Sequence, residues 1–277
     1  MLLMLKLLAT SLLLVSFVNA STSGEKVKEY LEEKYSENTN IKTLQLEIEE
    51  EVALKELKDW KAYIVVLKAT LKKKPDNLIQ QKVIWFSNGE VITKELTSLK
   101  TEESLTDSVR PKFKDGYYKK ENLIYGNNNA EHKVAIFSDP LCPFCRSFVP
   151  GAIEDMKKQP KKFAIYYYHF PLPSIHPASV PLVKAAVAAE LKGYKNVVLN
   201  LYKVQVDAKE KDIKKVLTAF NKAIGSKLVP ADLTTTEVNK QVNYDSETAN
   251  NVMVNGTPTL YFDGAIDKTK KKYLKYK

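Results

Sequence analysis

Cys142 and Cys145 are the only cysteines among the 277 residues, and Pro143 and Phe144 separate them. A disulfide across two intervening residues is too short to tie distant parts of a fold together. It suits a bond that opens and closes during thiol-disulfide exchange. Exported proteins that use disulfides for stability usually carry several. The isolated pair therefore predicts redox chemistry.

Two alternatives stay open for these cysteines. A Cys-x-x-Cys pair can be half of a zinc site, but zinc takes four ligands and no second cysteine pair exists. The remaining candidate ligands are three histidines far apart in sequence: His132, His169 and His176. The other alternative is an inert, buried pair.

The residues around the cysteines predict a strand that leads into a helix. Residues 133–141 are an apolar run with a β-branched centre, ending in a turn. Downstream, apolar residues recur at helical spacing, namely Cys145, Phe148, Val149, Ala152 and Met156. The motif would therefore open a helix. Unpaired N–H groups and the helix dipole at that position would lower the pKa of Cys142 below the free value of about 8.5.

The two sulfurs are expected to have different roles. Cys142 would be the exposed nucleophile. Cys145 belongs to the apolar stripe, so it would be shielded, harder to ionise and suited to resolving a mixed disulfide. Arg146 either adds positive charge near the thiolate or is a solvated helix residue.

A second segment could complete the site. Pro258 stands at the mouth of an apolar strand, 258–262. X-Pro bonds have only a small trans preference, so a cis Thr257–Pro258 bond is expected if the segment meets the cysteines. Proline also lacks a backbone donor, which would leave the Thr257 backbone free to pair with an extended substrate. The alternative is an ordinary proline at the start of an edge strand.

The N-terminus and the charge bear on the compartment. Residues 1–20 carry one charge, Lys6, followed by an apolar run and Ala20, which predicts an exported protein with a signal peptide cleaved after Ala20. An uncleaved anchor is the alternative.

The formal net charge is +10, but nucleic acid is not an expected partner outside the cytoplasm. The lysine-rich tail, 268–277, either touches anionic lipid or forms a solvated last helix.

The chain length favours two domains. Residues 21–98 predict a helix at 25–35, strands near 41–49, 61–71 and 81–87, and a hairpin at Asn88-Gly89. A polar linker, with a short strand near 122–125, is predicted over 99–125. A catalytic domain would follow over 126–277, with a helical insertion at about 174–233, a helix over 235–252 and a basic helix at the end.

Residues 137–145, Phe-Ser-Asp-Pro-Leu-Cys-Pro-Phe-Cys, together with Gly-Thr-Pro-Thr at 256–259, resemble the thioredoxin-fold Dsb proteins, especially the two-domain DsbG and DsbC group. This resemblance implies an α/β thioredoxin fold with a helical insertion. A small α+β, cystatin-like dimerisation domain and a helical linker would precede it.

The resemblance also implies residue roles. Cys142 would attack, Cys145 would resolve, Thr257 and Pro258 would dock the substrate, and Pro143 with Phe144 would contact it and tune the potential. The sequence departs from DsbA, which has a histidine where Phe144 stands, so a milder oxidant is expected. It also has Ile136 where thioredoxin and DsbA have a buried acid.

The implied function is a periplasmic thiol-disulfide oxidoreductase that forms or isomerises disulfides in secreted proteins. It would need no cofactor or metal beyond the Cys142–Cys145 disulfide. The expected partners are unfolded or misoxidised secreted proteins, a DsbB- or DsbD-like membrane redox partner, and a second copy in a homodimer. The alternatives are a holdase chaperone with secondary redox activity and a reductase dedicated to cytochrome c maturation.

Overall fold

The computed structural model describes residues 22–159 and 161–276, so the predicted signal peptide, 1–20, lies outside the described residues. The chain divides into two compact units, the first ending at Glu95 and the second beginning at Leu96, with residues 79–83 of β3 grouped with the second. The helices are α1 (Ser23–Ser36), α2 (Thr106–Val109), α3 (Pro143–Lys157), α4 (Ser179–Leu191), α5 (Val197–Leu201), α6 (Ile213–Ile224) and α7 (Thr236–Asn251). The strands are β1 (Ile41–Ala53), β2 (Lys61–Leu71), β3 (Lys74–Ser87), β4 (Ile92–Thr93), β5 (Leu123–Tyr125), β6 (His132–Ser138), β7 (Phe163–His169), β8 (Thr259–Phe262) and β9 (Ala265–Ile266).

The first unit combines α1 with a sheet in the order β1-β2-β3-β4. Thr22 caps α1, because its hydroxyl accepts from the Glu25 N–H while the Glu25 carboxylate accepts from the Thr22 N–H. The buried side chains Val27 and Leu31 form the inner stripe of the helix. The helix and strands predicted for this region are confirmed, although β1 and β3 are longer than expected.

The Asn88-Gly89 hairpin is also present. Ser87 pairs with Ile92, and Gly89 has φ +89°, a conformation that glycine adopts without steric cost. The sequence predicted this turn because Asn-Gly supplies positive φ angles.

The second unit is built on a sheet in the order β5-β7-β6-β8-β9. β6 runs parallel to β7 and antiparallel to β8, so β6 lies at the centre. Its residues Val134–Ser138 are all buried, which explains why the apolar run lacks the alternation of a half-exposed strand. The chain leaves the buried end of β6 at Ser138 and reaches the cysteines four residues later.

Each face of this sheet has its own core. On one face, α3 packs its stripe against Val134, Ile136 and Tyr167. On the other, Phe137 and Tyr168 pack with residues of α7 such as Ala249. The inserted helices α4 and α6 form a third buried cluster. The sheet and α3 therefore hold the cysteines on a rigid support.

The predicted linker, 99–125, contains the short strand expected near 122–125, which is β5, but this stretch also carries buried side chains. Phe113 is buried among aromatic rings of the sheet, 5.5 Å from Tyr261 between ring centroids. The buried Asn122 amide donates to the Tyr167 carbonyl, and β5 pairs with β7. The polar residues in this stretch concealed a few buried ones that attach it to the second unit.

Gly126 follows β5 at a close approach. It has φ +79°, and an added Cβ would collide with the Phe163 carbonyl, so only glycine fits without movement.

The predicted terminal helix is a short 3-10 helix, Lys272–Tyr276, and it is not fully solvated because Tyr273 is buried. Within residues 22–159 and 161–276, no helix combines the length and apolar character needed to cross a membrane.

Candidate active site

Cys142 occupies the N-cap of α3, and Pro143 fills the first helical position. Proline suits this place because its missing N–H would be unpaired anyway. The Cys142 carbonyl accepts the first helical hydrogen bond, from the Arg146 N–H at 3.0 Å. The Cys142 side chain itself makes no capping hydrogen bond. Its sulfur lies at the start of the helix, where unpaired backbone N–H groups favour negative charge.

The expectation that Cys142 is exposed is wrong. Its exposed fraction is 5%, because the loop before β8 lies against it. The Cys142 Sγ is 3.7 Å from the Thr257 carbonyl oxygen, to which the thiol can donate. Both cysteines are free thiols in this structure.

Cys145 lies deeper and has no exposed surface. Burial is the largest influence on the Cys145 thiol, and it raises the pKa of this thiol to about 11. The thiol is therefore the stable form of Cys145 at neutral pH. This agrees with the expected shielding of the second sulfur.

The loop before β8 contains the expected cis peptide bond between Thr257 and Pro258. Among the described residues, no backbone hydrogen bond involves the Thr257 N–H. The Thr257 Oγ1 is buried and also lacks a hydrogen-bond partner there. The structure thus brings Thr257 to Cys142 and leaves its backbone N–H available, as a peptide dock would require.

The two residues between the cysteines face outward. Pro143 is exposed, and Phe144 has an exposed fraction of 74%. A large aromatic ring left in water beside a reactive sulfur offers apolar surface to an unfolded chain. Their expected role in substrate contact fits this exposure and stays a prediction.

Sequence reasoning missed the role of Asp139, which is completely buried. Its carboxylate accepts from the N–H groups of Leu141 and Leu172, both at 2.7 Å, and pairs with His176 Nδ1 at 3.1 Å. One side chain therefore ties the loop before Cys142 to the loop after β7. The signal was an acid in the turn that follows the strand, where aspartate often binds backbone N–H groups.

Arg146 is not the solvated helix residue that one of the two interpretations expected. Its guanidinium donates to the Pro140 carbonyl at 2.8 Å and the Val204 carbonyl at 2.7 Å, and it is half-buried. Burial lowers the pKa of Arg146. The side chain fastens the turn before Cys142 to the inserted helices.

Tyr167 and Tyr202, which share a buried cluster with Cys145, form a group of three hydroxyls with Ser138. Ser138 Oγ is 2.6 Å from Tyr202 Oη, and Tyr202 Oη is 2.8 Å from Tyr167 Oη. Burial raises the pKa of both tyrosines, so they stay neutral. Sequence offered no signal for this group, because Tyr202 lies in the insertion, 64 residues from Ser138.

The three histidines lie in separate surroundings. His132 Nδ1 pairs with Asp263 at 2.8 Å, and His176 pairs with Asp139. His169 is buried, and burial lowers its pKa to about 4. Across the described parts of the chain, no cluster of three or more His, Cys, Asp or Glu side chains could hold a metal ion.

Comparison with known families identifies the second unit. A thioredoxin family model matches residues 118–277, which is more than half of the chain. The chain belongs to the thioredoxin family. The predicted family and thioredoxin fold are therefore confirmed, while the two-domain subtype stays a prediction.

Solved structures similar to this thioredoxin-family chain include three redox proteins. A putative protein-disulfide isomerase from Pseudomonas syringae has 15% identity, covering 56% of this chain and 97% of that one, with a TM-score of 0.48. BdbD from Bacillus subtilis has 18% identity, covering 60% of this chain and 91% of that one, with a TM-score of 0.45. A thioredoxin-like oxidoreductase from Silicibacter pomeroyi has 19% identity, covering 54% of this chain and 84% of that one, with a TM-score of 0.44.

Two curated relatives are named Na(+)/H(+) antiporter NhaA 1. The one from Mycolicibacterium gilvum is 29% identical over 143 residues, and the one from Mycolicibacterium vanbaalenii is 28% identical over 147 residues. These matches cover 51% and 52% of this chain but only 23% and 24% of the relatives. The chain thus spans about a quarter of their length.

Proposed function

We propose that this protein is a thiol-disulfide oxidoreductase whose redox couple is Cys142–Cys145. The supporting observation is the pair of sulfurs at one helix start: Cys142 lies 3.7 Å from the Thr257 carbonyl, and Cys145 is buried behind it with a raised pKa. A substrate sulfur that approaches past Phe144 meets Cys142 first. Membership of the thioredoxin family agrees with this assignment.

In the oxidising direction, a substrate thiolate attacks the Cys142 sulfur of the disulfide, and Cys145 leaves with the bonding electron pair. A second substrate thiolate then attacks the mixed disulfide, which forms the substrate disulfide and returns Cys142 as a thiolate. In the isomerising direction, reduced Cys142 attacks an incorrect substrate disulfide and is released by a substrate thiol. Both directions use the same residues and no added cofactor.

The substrates we propose are exported proteins with free or wrongly paired cysteines. The proposal includes export through the segment 1–20 to the periplasm, a homodimer formed through the first unit, and recycling by a membrane redox partner. The exposed Phe144 and the free Thr257 N–H support binding of an extended polypeptide. Ion transport is not proposed, because the relatives with that name are matched over only a quarter of their length.

The experiment is disulfide transfer by the purified protein to a reduced model substrate, with Cys142→Ser and Cys145→Ser as matched variants. Cys142→Ser should abolish transfer. Cys145→Ser cannot form the Cys142–Cys145 disulfide, so it should also fail to transfer one to the reduced substrate. When it is given a substrate that carries a disulfide instead, Cys142 should attack that disulfide and the mixed disulfide should accumulate, because the resolving sulfur is missing. Full transfer by Cys142→Ser, or no transfer by the unmodified protein, would refute the proposal.

Direction can be measured in cells by trapping free thiols with an alkylating agent. A protein found mainly as the disulfide acts as an oxidase, and one found mainly as the dithiol acts as an isomerase or reductase. Light scattering on the whole protein and on the second unit alone tests the dimer. A monomer in both cases would remove the dimer from the proposal.

A further inference from the structure

Asp139 organises the turn that carries the chain from β6 to Cys142. Pro140 has no N–H group, and the next two N–H groups along the chain, those of Leu141 and Cys142, both donate to Asp139. The Leu141 N–H donates to the side-chain carboxylate at 2.7 Å, and the Cys142 N–H donates to the backbone carbonyl at 3.2 Å. Asp139 therefore fixes the backbone of this turn as far as the cysteine.

The second oxygen of the carboxylate is held by the loop that follows β7. Asp139 Oδ2 accepts from the Leu172 N–H at 2.7 Å and lies 3.1 Å from His176 Nδ1. The His176 N–H donates to the Leu172 carbonyl at 2.7 Å, so both contacts come from one closed turn. The His176 carbonyl accepts from the N–H and the hydroxyl of Ser179, the first residue of α4. Asp139 thus connects the turn before Cys142 to the first inserted helix.

Burial makes these contacts hard to replace. The Asp139 side chain has no exposed surface, so water cannot take the place of a lost donor. One oxygen serves the turn before Cys142, and the other serves the loop after β7. Asparagine has the same shape but only one acceptor oxygen, so at this position it could keep the hydrogen bonds on one side only.

We propose that Asp139, held by His176, is a positioning residue for thiol-disulfide exchange: it keeps the Cys142 sulfur at the start of α3, where unpaired backbone N–H groups stabilise its thiolate. The inference rests on the proposed function and adds two residues to its mechanism. Both act through the backbone of the turn rather than on the sulfur. Cys142 has the extended conformation of an N-cap residue, φ −66° and ψ 123°, and a shift of the turn would move its sulfur away from the N–H groups.

Reduction by glutathione is a reaction in which this thiolate forms. A glutathione thiolate bonds to Cys142 Sγ, the Cys142–Cys145 bond breaks, and Cys145 keeps the electron pair. A second glutathione thiolate attacks the glutathione sulfur of the mixed disulfide, and Cys142 leaves as the thiolate. The products are the protein dithiol and oxidised glutathione. Stabilisation of the Cys142 thiolate therefore favours the reduced protein.

The charge of Asp139 acts in the opposite direction to its positioning role. A negative charge close to Cys142 disfavours the thiolate, so loss of the charge in Asp139→Asn would by itself favour the reduced protein. Loss of the hydrogen bonds that hold the turn would favour the disulfide. The sign of the change in the redox equilibrium therefore separates the two effects.

The test is the equilibrium of the whole protein with reduced and oxidised glutathione at pH 7, measured by acid quenching, alkylation and mass spectrometry. Asp139→Asn should lower the equilibrium constant for reduction by about tenfold, the size expected for one hydrogen bond to a charged group. His176→Ala should lower it by about threefold. His176→Asn should restore it, because the asparagine amide N–H takes the place of Nδ1.

His132→Ala is the matched control. His132 Nδ1 lies 2.8 Å from the Asp263 carboxylate, so the same kind of pair is removed, but at the opposite end of β6 from the cysteine turn. This variant should leave the equilibrium constant unchanged.

A second measurement follows the Cys142 thiolate directly. In a Cys145→Ser protein, Cys142 is the only thiol, and its ultraviolet thiolate absorbance is recorded during a pH titration. Adding Asp139→Asn or His176→Ala should make this absorbance develop at higher pH. Urea titrations of the same variants measure their stability separately.

Three results would overturn the inference. One is lower stability with an unchanged glutathione equilibrium, since this is the result of a purely structural role. Another is easier reduction of Asp139→Asn, which would make its charge the dominant effect. The third is failure of His176→Asn to restore what His176→Ala loses. The His176 variants keep the test decisive even if Asp139→Asn does not fold.

These measurements do not depend on a protein substrate. A protein that fails to oxidise a reduced protein would refute the proposed function. The positioning role of Asp139 would still be decided by the glutathione equilibrium and the thiolate titration.

Discussion

Replacing Cys142 with serine leaves Cys145 as the only thiol, so its ionisation can be followed directly. Burial is the main cause of the raised pKa of Cys145, about 11 against an ordinary value of 9.0, and burial remains in Cys142→Ser. The thiolate fraction at neutral pH should therefore be about 100-fold lower in the folded protein than in the unfolded one. Because Cys145 has no exposed surface, steric shielding should lower its reactivity further.

The assay is iodoacetamide labelling of Cys142→Ser between pH 7 and 10, with the same protein in urea as the reference. In the folded protein the rate should rise about tenfold per pH unit without a plateau over this range. In urea it should level off near the ordinary thiol pKa. A labelling rate equal to that in urea, or a plateau below pH 9, would refute the assigned environment of Cys145. A thermal melt confirms that the variant is folded.

Three further predictions concern the support of the site. Arg146→Ala should lower the free energy of unfolding by about 2 kcal/mol in urea titrations, because the Pro140 and Val204 carbonyls lose their donor, and an unchanged midpoint would contradict this. His169 has a pKa of about 4 when folded and 6.5 ordinarily, so the unfolded state protonates first and stability falls as pH drops from 6.5 to 4. His169→Phe should remove up to about 3 kcal/mol of that fall, and an identical pH profile would count against burial of a neutral ring. Gly126→Ala should cost about 2 kcal/mol or more in the same titrations because of its positive φ and the nearby carbonyl, and an unaltered stability would contradict it.

Local patterns in the sequence predicted much of the second unit. The apolar run of β6, the stripe on α3 and the proline before β8 each depend on neighbouring residues, so spacing and residue type were sufficient. The cis bond before Pro258 followed from the same reasoning and is present.

Features that depend on distant residues could not be predicted. Arg146 looked like a solvated residue because its acceptors, Pro140 and Val204, are backbone carbonyls, which leave no mark in the sequence. Tyr202 meets Ser138 only because the insertion folds back onto α3. Such contacts require the tertiary structure.

The burial of Cys142 has a similar origin. A cysteine at a helix start was expected to be exposed, but the loop carrying Thr257 reaches it from a segment 115 residues away. The polar average of residues 99–125 likewise concealed a few buried side chains, Phe113 among them. Composition describes the whole segment, whereas packing depends on individual residues.

The most direct test of the redox assignment identifies the sulfur that is attacked first. Oxidised protein is mixed briefly with isotopically labelled glutathione, quenched with acid and digested, and the glutathione adducts are mapped by mass spectrometry. Adducts are expected on Cys142, and almost none are expected on Cys145. Adducts mainly on Cys145, or shared equally by the two cysteines, would contradict the redox assignment.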